Sequence, residues 1–119
     1  MSQNFQAGDF LIFQIESGYG LLRILAIDEI EDGTVWHLCA YNEMFMDIDS
    51  ADAAIENFNN LTISYPHLAL TNRAFESTQV ARMKNEPLKD EDLKAFAEWQ
   101  NNPHRKVSDL SVRLLLGLR

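Results

Sequence analysis

The sequence predicts an α+β fold: a small curled antiparallel sheet, late helices, and a C-terminal strand that closes the sheet. Three observations lead there. Short aromatic and β-branched runs, separated by turn signals, fill residues 10–41. Apolar residues at helical spacing mark residues 91–101, and an alternating apolar run occupies residues 110–118. Strands early, helices late and one returning strand is the α+β order of elements. At 119 residues the chain is expected to form one domain over 1–119.

Phe10–Ile15 is the first strand, entered through Gly8-Asp9 and ended by the turn signal Ser17-Gly18. Tyr19–Ile27 is the second. Glu31-Asp32-Gly33 makes a hairpin, because Asp-Gly tolerates the positive φ of tight turns. Thr34–Tyr41 is the third strand, with a continuation to Phe45. Apolar side chains fall on both faces of these strands, which calls for a strongly curled sheet or a helix over the outer face. This meander resembles the small SH3-like barrels in outline. The likeness rests on strand and turn spacing over about a third of the chain and brings no functional residues with it.

Downstream, Ser50 is expected to cap a short helix over 51–58 with Asp52 in its first turn. Leu61–Tyr65 reads as an edge strand limited by Pro66, with an extended path resuming at His67–Leu70. Thr71 or Asn72 could cap a helix holding Ala74, Phe75 and Met83. Glu91–Asn101 is the better helix: Asp90 caps it, Leu93, Phe96 and Ala97 form its stripe, and Pro103 stops it. Leu110–Leu118 is read as the closing strand, with Val112, Leu114, Leu116 and Leu118 on one side.

Composition narrows the functional classes. With 46% apolar and 24% charged residues, the chain can bury roughly two-thirds of its unfolded surface and needs neither metal nor disulfide to fold. The single cysteine, Cys39, has no partner for an internal disulfide, and no zinc spacing is present. No apolar run spans a bilayer and no secretory pattern opens the chain, so a cytoplasmic setting is expected. The net charge is −8, unevenly placed. Residues 1–60 hold eleven acids and one base, Arg23, whereas residues 61–119 hold seven acids and nine bases. Nucleic acid and anionic membrane are poor partners for such a surface. A basic protein is a good one.

Candidate chemistry is sparse. Gly18-Tyr19-Gly20 lacks the rest of a phosphate loop and precedes a strand, so a hairpin is the simpler reading. A calcium loop starting at Asp47 fails at Ala51, Asp52 and Phe58. His37 and Cys39 share a strand face, but neighbours at that spacing lie about 6–7 Å apart, too far for a nucleophile–base pair. No catalytic residue, metal site or cofactor follows from the sequence. Trp36, Tyr41, Phe45 and Met44 or Met46 offer an aromatic surface, or else pack beneath the acidic helix.

The reading favoured is a small acidic binding module, akin in size and charge to immunity-type or antitoxin-type inhibitors, that covers a basic protein. Its expected contact residues are Glu29, Glu31, Asp32, Glu43, Asp47, Asp49, Asp52 and Glu56. Two alternatives are a small-ligand binder or enzyme with a pocket between sheet and late helix, and a homo-oligomer pairing through Leu61–Tyr65 or Met44–Met46.

Overall fold

In a computed structural model, which describes residues 4–31 and 33–118, the early β-rich runs pair as an antiparallel meander. It comprises β1 (Asp9–Ile15), β2 (Gly18–Ile30), β3 (Gly33–Tyr41) and β4 (Ile63–Thr71). Gly33, at φ 125°, supplies the left-handed backbone that opens β3. The sheet is completed by β5 (Val80–Asn85), which returns to β1 and gives the order β4-β3-β2-β1-β5. Among the described residues four α-helices accompany it: α1 (Ile48–Ile55), α2 (Asn72–Ser77), α3 (Lys94–Gln100) and α4 (Val112–Leu116). The α+β class holds.

Helices cover both faces of the sheet, which explains the lack of clean alternation. On one face Phe10, Leu21, Leu25, Cys39 and Tyr41 pack with Ile55 of α1 and Phe96 of α3. On the other, Leu11, Phe13, Leu22, Ile24 and Leu38 pack with Phe75 of α2 and Val112 of α4.

Several expectations are corrected. The closing strand is not 110–118. There the Ser111 side chain accepts from Leu114 N, and Gly117 takes the left-handed position at φ 69°. These end signals make α4, which buries Val112, packs Leu115 and Leu116 on the core, and leaves Leu114 67% exposed. Met83 belongs to the closing strand β5 rather than to a helix with Phe75. The acidic helix starts earlier than expected: Asp47, not Ser50, is the cap, its Oδ1 accepting from Ser50 N at 2.7 Å, and Phe58 lies in a separate 3-10 turn. Finally, β4 runs through Pro66, and β3 ends at Tyr41, with Phe45 touching the sheet only as an isolated bridge to Tyr19. Proline's missing donor is tolerated on an edge strand.

The expected helix over 91–101 divides into a 3-10 turn, Asp90–Leu93, and α3. Asp92 Oδ2 accepts from Lys89 N and fixes the entry. From α3, Phe96 and Trp99 reach down onto β3 and β4.

Candidate functional site

Capping by Asp47 sets the rotation of α1. Ala51 and Ile55 turn inward, so Asp49, Asp52 and Glu56, at i, i+3 and i+7, form one outward stripe. At its N-terminal end Met46 is 88% exposed, and Ile48 and Met44 are about half exposed. One base meets this stripe among the described contacts: Lys84 of β5 pairs with Glu56, which holds the Lys84 ammonium charged above its ordinary range. The Asp47 carboxyl is held below its usual range by its hydrogen bonding to Ser50. This surface is therefore acidic, with exposed apolar side chains at one end.

The eight acids singled out in the sequence do not form one patch. Phe45 bridges Tyr19 at the start of β2, which places Asp47 and the start of α1 at that end of the sheet, while Glu56 reaches back to Lys84 of β5. Glu29 and Glu31 lie at the other end of β2, roughly 30 Å from Tyr19 at the rise of an extended strand, and Glu29 lines the opposite face of the sheet. Asp32 lies outside the described residues. Glu43 is half-buried and accepts the Thr62 N–H on both carboxylate oxygens, and Glu29 accepts from Thr34 Oγ1. Of the expected aromatic surface, Tyr41 is buried and Trp36 stacks on Phe75 across the other face of the sheet.

The fold also assembles a group the sequence did not reveal. His37 of β3 is fully buried. Its Nε2 lies 2.9 Å from Asp28 Oδ2 and its Nδ1 lies 2.9 Å from His67 Nε2. Phe96 and Trp99 pack against both imidazoles. Burial lowers the basicity of both rings. The Asp28 carboxylate opposes this at His37, whereas His37 reinforces it at His67, which falls to about 4. The three residues stand on three strands, so no spacing rule could have joined them.

Cys39 gains no base from this arrangement, because both nitrogens of His37 are engaged. Burial raises its thiol to about 11, and burial raises the Tyr41 phenol beside it as well. Next to them Arg23 is buried between the rings of Phe10 and Phe58, 4.9 Å from each, and donates to the carbonyls of Glu86 and Pro87. A cavity of about 340 Å³ separates this part of the sheet from α3, bounded by Arg23, Cys39, Tyr41, Asp92 and Glu98. Among the described residues, no three His, Cys, Asp or Glu side chains gather as a metal site, and no helix is long and apolar enough to cross a membrane.

Fold and surface thus define an α+β protein with a helix-covered antiparallel sheet and an acidic, partly apolar helix face. Comparison with family models, curated proteins and solved structures finds no match.

Proposed function

We propose that this protein is a small acidic binding module that covers a basic protein partner, as an inhibitor of the immunity or antitoxin kind would. One observation carries the reading: the stripe Asp49, Asp52 and Glu56 is outward-facing and ends in exposed Met46 and Ile48. Carboxylates around an apolar contact suit a cationic surface. The charges steer encounter, and the desolvated Met and Ile side chains supply lasting contact. Glu29 lines the sheet face opposite α1, so the contact proposed is α1 and the segment before it.

The test uses the full chain as bait in cells that make it, followed by purification of whatever is retained. A partner of net positive charge, whose affinity falls at least tenfold with Asp49→Lys/Asp52→Lys and again with Met46→Ala, supports the reading. Its binding should weaken steeply with salt, since exposed charge pairs are screened. Retention of an acidic partner, or affinity indifferent to these substitutions, overturns it. Asp47 is left intact because its loss would remove the helix cap.

A further inference from the structure

A cleft of about 790 Å³ opens on the sheet face opposite α1, within the range of small-ligand sites. Aromatic side chains build its wall. Trp36 and Phe75 stack with ring centroids 3.9 Å apart, and Phe5 stands edge-on to both at 5.8 and 5.5 Å. The Trp36 indole N–H is already given to Asn72 Oδ1, so a bound molecule meets the aromatic surface rather than this donor. Charge in the cleft has one sign. Glu29 from the end of β2 and Glu76 from α2 both line it, and among the described residues no Lys or Arg does.

We infer that this cleft binds an organic ammonium ion carrying an apolar body. An aromatic wall beside carboxylates selects such a ligand twice over. The partly exposed Trp36 and Phe5 rings, backed by the buried Phe75, attract a cation and also cover hydrocarbon, while Glu29 and Glu76 supply the opposite charge. An anion of the same shape meets two carboxylates with no compensating base, and a neutral analogue keeps only the hydrocarbon contact. The site is independent of the α1 surface, because the two lie on opposite faces of the sheet.

Three probes that share a phenylethyl body test this: 2-phenylethylamine, 2-phenylethanol and 3-phenylpropionate, titrated calorimetrically into the full chain. The amine should bind at least tenfold more tightly than the alcohol, and the carboxylate should give no measurable binding. Glu29→Gln/Glu76→Gln should reduce amine affinity at least tenfold with an unchanged melting temperature, whereas Asp49→Lys/Asp52→Lys should leave it within twofold. The amine should also shift the indole N–H resonance of Trp36 and not that of Trp99. Equal binding of amine and alcohol, loss of binding in the α1 variant, or a shift confined to Trp99 would each overturn the assignment. Absence of amine binding would overturn it outright.

Discussion

Asp28 and His37 share a face of the sheet because of a β-bulge. Strict alternation along β2 puts Arg23 and Leu25 on the α3 side and would put Asp28 on the opposite side. The register shifts between Ile24 and Ala26, so Ala26 pairs with His37 and Asp28 with Val35. One extra residue flips everything beyond it, which brings the Asp28 carboxylate within 2.9 Å of His37 Nε2. A carboxylate only accepts, so the His37 proton sits on Nε2 and Nδ1 accepts from His67 Nε2. The line of bonds leaves His67 Nδ1 as the nitrogen that takes up a proton.

Removing the carboxylate should strand a buried donor. Asp28→Ala leaves the His37 Nε2–H without its acceptor, and we expect a loss of about 1–3 kcal/mol in urea unfolding. Asp28→Asn retains an acceptor and should lose less. In a double-mutant cycle with His37→Phe, the Asp28→Ala cost should largely vanish. A cost unchanged in that background would show that Asp28 acts elsewhere.

The same group makes stability depend on pH in a stated direction. Both histidines are held below the ordinary imidazole value, His67 at about 4, so the folded chain prefers them neutral. Their contribution is complete above pH 6.5 and is lost as pH falls from there towards 4, because the unfolded chain takes up the proton first. His67→Gln should therefore flatten the fall in melting temperature between pH 6.5 and 4 relative to the parent. Parallel curves would remove His67 as the cause.

Much of the framework was legible in local chemistry, and the relay was not. The first three strands follow from runs and turns that act within a few residues, as Gly33 does at the start of β3. Residues 112–116 show the limit. Val112, Leu114 and Leu116 alternate like a strand, yet a serine cap and a terminal glycine decide for helix. The acids misled for a topological reason. Glu29 and Asp47 belong to one charged half in sequence, but a 13-residue strand separates them in space. His37 and His67 meet only through β3–β4 pairing, a long-range contact that composition cannot signal.

Gly20 is required for packing rather than for backbone freedom. A Cβ there would fall 2.5 Å from Phe13 Cζ, inside the buried cluster on the α2 side. Its φ does not lie in the left-handed region, so strain in the chain itself is not the obstacle. Gly20→Ala should cost about 1–3 kcal/mol by overpacking. Adding Phe13→Leu should recover part of that loss, since it withdraws the ring. A double variant whose cost is the sum of the two singles would place the clash elsewhere.

Arg23 is the sharpest test of how the β5–α3 connection is held. Its Nη2 donates to Glu86 O at 2.8 Å and to Pro87 O at 3.1 Å, its Nη1 lies 3.6 Å from Asp92, and among the described residues its Nε finds no acceptor. The planar guanidinium also fills the slot between Phe10 and Phe58. Lysine keeps the charge but has neither the fork nor the plane, so Arg23→Lys should lose both carbonyl bonds and the double ring contact. We expect about 3–5 kcal/mol of destabilisation, the range for leaving a buried charge without its partners. Arg23→Met fills similar volume without a charge to desolvate, and should be less damaging than Arg23→Lys. Hydrogen exchange separates global from local loss: in Arg23→Lys, the amides of Glu86 and of residues 88–93 should open well before those of β1 and β2. If protection falls uniformly along the chain, Arg23 supports the core as a whole rather than this connection.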